Sequence, residues 1–74
     1  MGKYIQLTSR ELQILFLLAE GNKDKNIALA LAIELETVKS HNKNIFRKLN
    51  VRNRSEAVLH LLNNQSIKIN IENS

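Results

Sequence analysis

Residues 37–54 read TVKSHNKNIFRKLNVRNR, the most informative segment of the chain. Its apolar residues Val38, Ile45 and Leu49 recur at the spacing of one helix face. The opposite face carries basic and polar side chains, namely Lys39, Ser40, Lys43, Arg47 and Lys48. A helix with these two faces can pack one side on a core and place the other in a DNA groove. The pattern therefore predicts a helix that contacts DNA.

A shorter helix is predicted upstream, over residues 24–31, with Asn22 or Asp24 as its N-terminal cap. Its packing side is marked by the apolar residues Ile27, Ala28, Leu31 and Ile33. Residues 32–34 form a three-residue turn, the length that a helix-turn-helix requires. The longer helix then covers residues 35–49 and stops at Asn50, which tolerates a left-handed conformation. Together they predict a helix-turn-helix over about residues 24–43.

Two further helices are predicted on either side of this pair. Residues 8–11 read TSRE, a capping box that opens a helix running to about residue 20, and Gly21 suits its left-handed end. Asn53 followed by Glu56 predicts the start of a fourth helix, which runs to about residue 64. Its predicted packing stripe is Ala57, Val58, Leu61 and Leu62. Residues 1–6 are expected to be loose or weakly docked, and residues 67–71 alternate as a short extended segment would.

The charge distribution favours a polyanionic partner. The net charge is +4 and the pI is about 9.8. Residues 37–54 hold six of the eleven Lys and Arg and no Asp or Glu. Such local segregation is typical of phosphate contact, whereas a solvated helix face is the alternative interpretation.

Composition also limits the kinds of site. With 74 residues the chain forms one small domain, and dimerisation would add to its modest stability. It has no Cys, so disulfides and thiolate metal sites are excluded. No apolar run approaches the roughly 20 residues of a membrane span. His41 and His60 lack acidic or thiolate companions, and no Ser is accompanied by an arranged His and acid. We therefore predict no enzyme, metal or cofactor.

These motifs, taken in order, resemble the LuxR/GerE-type DNA-binding domain. The resemblance rests on LTSRE (7–11), IL (14–15), LAEG (18–21), KNIA (25–28), Leu31 and Ile33, TVKSH (37–41), NIFRKL (44–49) and NRSEAV (53–58). It covers about residues 7–66. It implies an all-α, compact four-helix domain over residues 3–68, with residues 69–74 as a tail. The third helix would enter the major groove, and the fourth would pair two domains.

The resemblance also implies roles for individual residues. Its base-reading positions fall on Lys39, Ser40 and Lys43, whose spacing of i, i+1 and i+4 places them on one helix face. Its DNA-backbone positions fall on Lys25, Thr37 and Lys48, to which we add Lys23, His41 and Arg47. The predicted dimer interface on the fourth helix comprises Leu59, Leu62 and Asn63.

The chain departs from the family's usual pattern at three positions. Lys23 and Glu34 stand where a Ser or Thr usually caps the second and third helices, and Asn50 replaces a Gly. Together with Glu36, Glu34 adds negative charge close to the expected phosphate path.

Two function classes follow. The first is a cytoplasmic transcriptional regulator that binds double-stranded DNA as a homodimer, with a larger regulator or RNA polymerase as a further partner. The second is an interaction protein of the same fold that modulates a larger LuxR-type regulator. The Met1 start fits either a free-standing regulator or an excised output domain.

Overall fold

The computed structural model describes residues 5–63 and 67–70. These residues form β1 (Ile5–Thr8), α1 (Ser9–Ala19), α2 (Asp24–Leu31), α3 (Leu35–Leu49), α4 (Arg54–Asn63) and β2 (Ile67–Asn70). The predicted four-helix, all-α architecture with a helix-turn-helix is confirmed. Both α2 and α3 begin and end at the residues predicted for them.

The ends of the helices follow local chemistry. At the start of α1, the Thr8 hydroxyl accepts from the Glu11 amide at 3.0 Å, and the Glu11 carboxylate accepts from the Thr8 amide at 2.9 Å. Gly21 follows α1 with φ +91°, a conformation that glycine adopts without steric cost. Asn50 ends α3 with φ 58°. In the turn between α2 and α3, Ala32 takes φ 55°, so a residue with a Cβ fills the left-handed position there.

The predicted cap of α2 is wrong. Lys23 occupies the N-cap position and makes no capping side-chain hydrogen bond. The Asn22 amide instead donates to the carbonyl of Leu17 at 2.9 Å, back towards α1. The Asp24 carboxylate accepts from Asn42 on α3 at 2.9 Å. Both candidate caps are therefore used in contacts with other helices.

The two ends of the domain pair with each other. β1 and β2 run parallel, with Ile5 opposite Ile67 and Thr8 opposite Asn70. Residues 5 and 6, expected to be loose or weakly docked, are paired strand residues, and β2 continues past the predicted domain boundary at residue 68. This pairing is long-range in sequence, so no local pattern predicts it. Residues 1–4, 64–66 and 71–74 lie outside the described residues, and with them part of the tail and the predicted end of α4.

Aliphatic side chains from β1 and all four helices make up the core. The buried set is Leu7, Ile14, Leu15, Leu18, Ile27, Ala28, Val38, Ile45, Leu49 and Ala57. Val58 and Leu61 pack against it from α4. Leu62 was predicted to join that packing stripe but is 70% exposed. Phe16 on α1 is also exposed. The core thus fixes α3 by one face and leaves the other face to solvent.

Candidate nucleic-acid interface

The predicted base-reading side chains share one solvent-exposed face of α3. Lys39, Ser40 and Lys43 are all exposed, while Val38 and Ile45 are buried on the opposite side of the same helix. We call these three residues the recognition face. Two ammonium groups and a hydroxyl can donate to base-edge acceptors, and lysine suits guanine O6 and N7.

One residue of the recognition face has an acidic neighbour. The Lys39 ammonium lies 3.8 Å from the Glu36 carboxylate, and the two side chains are 55% and 84% exposed. Exposed pairs of this kind contribute about 0–1 kcal/mol. Such a pair is weak enough for Lys39 to exchange Glu36 for a DNA acceptor.

The predicted DNA-backbone residues lie at the start of α2 and along α3. Lys23 and Lys25 lie exposed at the start of α2, and Thr37 lies exposed in the first turn of α3. His41 is half-buried, and the exposed Arg47 donates to the side-chain oxygen of Asn44 at 3.2 Å. Helix N-termini present free N–H groups that favour phosphate oxygens.

Lys48, the sixth predicted backbone contact, has a protein partner. Its ammonium lies 2.7 Å from the Glu11 carboxylate, whose side chain is 6% exposed. Burial alone would raise the pKa of Glu11. Hydrogen bonds from Lys48 and the Thr8 amide, with the positive charges of Lys48 and His41, outweigh burial and lower this pKa below 4.5. Lys48 therefore joins α3 to the capping box of α1.

A polar network beside the recognition face was not predicted from the sequence. One oxygen of Asp24 accepts from Asn42 at 2.9 Å and from Arg54 at 3.3 Å. The sequence does contain a feature that indicates it, because the polar Asn42 falls on the packing face of α3 between Val38 and Ile45. A groove of about 490 Å³ adjoins this network and is lined by Asp24, Lys39, Asn42, Lys43 and Phe46.

The predicted dimer residues form a second exposed surface. Leu59 is 56% exposed and Leu62 is 70% exposed, and Asn63 is exposed beside them on α4. A shallow groove of about 360 Å³ is lined by Val51, Glu56, Leu59, His60 and Asn63. Uncovered leucines on one short helix are an apolar surface available for association.

Neither a metal centre nor a membrane span is found in the part of the chain that the structure describes. No group of His, Cys, Asp and Glu side chains there could hold a metal ion. No helix among those residues is both long and apolar enough to cross a membrane.

Comparison with known sequences identifies the family. Residues 5–61 match the profile of bacterial regulatory proteins of the luxR family. The chain belongs to this family. The match spans β1, all of the helix-turn-helix and most of α4. Membership of this family implies DNA-binding transcription regulation.

Individual relatives agree with this assignment. The response regulator protein VraR of Staphylococcus aureus is 42% identical over 65 residues, which are 88% of this chain and 31% of VraR. VraR of Staphylococcus epidermidis gives the same values. The chain thus spans about a third of the length of these curated relatives. Among solved structures, the transcription factor GerE has a TM-score of 0.74 at 39% identity, with 84% of this chain and 92% of GerE covered.

Proposed function

We propose that this domain reads double-stranded DNA by placing α3 in the major groove. The observation that carries the proposal is the recognition face of Lys39, Ser40 and Lys43, exposed together on the helix whose other side is buried. The major groove admits an α-helix and offers acceptor patterns that differ between base pairs. The family assignment supports this choice of partner.

The DNA backbone contacts are proposed to come from both helices of the helix-turn-helix. Lys23, Lys25 and Thr37 lie at helix N-termini, where backbone N–H groups add to the side-chain donors. His41 and Arg47 extend the contact along α3. Lys48 is the weakest member of the set, because Glu11 already neutralises its charge. Contacts to phosphate fix orientation and carry no sequence information directly.

Two copies are proposed to pair through α4. A reading face of three residues contacts too few base pairs for selectivity, since each pair contributes about 1–3 kcal/mol. Two-fold pairing doubles the readout, with half-sites about one helical turn apart. The exposed Leu59, Leu62 and Asn63 supply the surface.

The wider setting is proposed from the relatives. VraR is a response regulator and GerE is a transcription factor, and the domain is proposed to act as a DNA-binding unit of such a regulator in the cytoplasm. A larger regulator or RNA polymerase would then be a further partner. No catalytic step is part of this proposal.

Fluorescence anisotropy tests the proposal. A preferred duplex is first selected from random DNA, and its affinity is compared with that of an unrelated duplex at two salt concentrations. We expect both affinities to fall with salt, because phosphate contact releases counterions. If no duplex is selected and neither duplex binds at the lower salt concentration, DNA contact is rejected and the interaction-protein alternative is favoured.

A matched pair of variants then tests the recognition face. Lys43→Ala should lower affinity for the preferred duplex by about 1–3 kcal/mol and relax preference at one base position. Arg52→Ala removes the same charge beyond the C-terminal end of α3 and should affect both duplexes equally. Equal, sequence-blind losses in both variants would show that α3 does not read bases.

A further inference from the structure

Three helices meet at one oxygen of Asp24, the first residue of α2. Asn42 of α3 donates to this oxygen at 2.9 Å, and Arg54 of α4 approaches it at 3.3 Å. Arg54 also donates to the carbonyl of Asn22 at 2.5 Å, just before α2. The first residue of α4 is thereby connected to the recognition helix through a single carboxylate.

Stability alone does not account for Asn42. It is 8% exposed and lies on the packing face of α3, where Val38, Ile45 and Leu49 are all apolar. Its side-chain oxygen is buried and makes no hydrogen bond with the described residues. An unsatisfied buried acceptor is costly, so the amide oxygen of Asn42 reduces the net contribution of this side chain to stability. The Asn42 side-chain amide does, however, join α3 to the first residue of α2 through its hydrogen bond to Asp24.

The rotation of α3 about its own axis determines where the side chains of the recognition face lie. Asn42 directly precedes Lys43, and Lys39 and Lys43 line the same groove as Asn42 and Asp24. Side-chain tips lie about 5–6 Å from a helix axis, so turning α3 by about 10° moves them by about 1 Å. Binding groups need placement within about 0.5 Å to keep their selectivity.

We infer that Asp24 and Asn42 are positioning residues, which set the orientation of the recognition face and hence its discrimination between base pairs. This inference rests on the proposed base-reading role of the recognition face. Through Arg54, the same carboxylate also connects the recognition helix to the helix proposed to pair two copies.

Two variants of equal charge isolate the hydrogen bonds. Asp24→Asn keeps an acceptor oxygen for Asn42, whereas Asp24→Ala does not, and both remove the negative charge near the DNA. We expect Asp24→Ala to reduce the ratio of preferred to unrelated duplex affinity about tenfold relative to Asp24→Asn. Asn26→Ala, an exposed change on the same helix, should leave the ratio at its original value.

Asn42→Leu separates positioning from folding. It removes the unsatisfied amide oxygen and introduces an apolar side chain, while Asp24 keeps Arg54 as a partner, so the midpoint of thermal unfolding should stay constant or rise. The affinity ratio should nevertheless fall, as in Asp24→Ala. A merely structural role predicts the opposite, namely that a stable variant keeps full discrimination. That result would overturn the inference.

A double-mutant cycle tests whether Asp24 affects discrimination through Lys43. If Asp24 acts through Lys43, the loss of discrimination in Asp24→Ala should be at least about threefold smaller when Lys43 is already Ala. Additive losses would overturn the coupling. If Lys43→Ala alone leaves base preference intact, the base-reading role of Lys43 is rejected. If Asp24→Ala and Asp24→Asn still differ in that case, the positioning role is retained.

Discussion

Glu11 combines a local and a distant role in one carboxylate. It closes the capping box of α1 with Thr8 and accepts the ammonium of Lys48 from α3 at 2.7 Å. Burial opposes ionisation, yet the hydrogen bonds and positive charges lower its folded-state pKa below 4.5. Because ionised Glu11 is favoured by the fold, its contribution is fully present above pH 4.5 and is lost as the pH falls through the folded-state pKa.

Lys48→Met tests this ion pair. At pH 7 it leaves a buried carboxylate without its cation, so we expect the free energy of unfolding to fall by about 1–3 kcal/mol. The lower part of this range is expected, because the Lys48 side chain is 33% exposed. Urea denaturation at pH 7 and at acid pH measures the loss, which should shrink once Glu11 is protonated.

Lys43→Met is the matched control for this measurement. It removes the same charge from an exposed position of the same helix and should change stability by less than about 0.5 kcal/mol. Equal effects of the two variants would mean that the Glu11–Lys48 pair does not hold α1 to α3.

Glu34 is predicted to limit both stability and DNA affinity. It is the exposed N-cap of α3 and makes no capping side-chain hydrogen bond. Glu34→Ser should raise the free energy of unfolding by about 1 kcal/mol, because a hydroxyl can accept from an amide of the first turn. Affinity should rise as well, since a negative charge near the phosphate path is removed.

Glu34→Gln separates the two effects of Glu34. It removes the charge without supplying a good cap, so affinity should rise while stability stays nearly constant. Thermal unfolding and anisotropy at low salt, where repulsion is least screened, give the two readouts. Unchanged binding in both variants would place the Glu34 side chain away from the DNA.

At the scale of elements, the sequence predicts the helix bounds that neighbouring residues determine, and it misses contacts between distant segments. The bounds of α3 follow from its apolar spacing and from Asn50, which takes the left-handed conformation at φ 58°. The pairing of β1 with β2 is missed because it joins the two ends of the chain. The network at Asp24 is missed because its donors come from two other helices. The roles of the recognition face itself come from the resemblance and stay predictions.

The two helices of the helix-turn-helix are predicted to contribute different kinds of contact. Lys25→Ala on α2 should weaken all duplexes nearly equally and reduce the salt slope by about one unit for one lost phosphate contact. Lys43→Ala on α3 should act mainly on the preferred duplex. Anisotropy over a salt series on both duplexes distinguishes them. A sequence-dependent loss in Lys25→Ala would assign α2 a share of base reading.

At the scale of the whole molecule, pairing of two copies through the exposed leucines of α4 is proposed to increase the selectivity of this small domain. The surface around Leu59 and Leu62 is small, so we expect a weak dimer in solution that becomes stronger on DNA, where two half-sites hold the copies together. The connection from Arg54 to Asp24 places the same helix in contact with the start of α2.

Leu59→Glu tests this arrangement. A carboxylate facing its symmetry mate cannot be buried without a partner, so cooperative occupancy of a duplex with two half-sites should be lost. The fold and the affinity for a single half-site should stay close to their original values, because Leu59 is 56% exposed in the monomer. Phe16→Glu, with the same charge change at a side chain 50% exposed on α1, is the control for added negative charge. Titration of single and double half-site duplexes measures cooperativity directly. If Leu59→Glu still fills both half-sites cooperatively, α4 is not the interface, and Leu59 is an ordinary exposed apolar side chain.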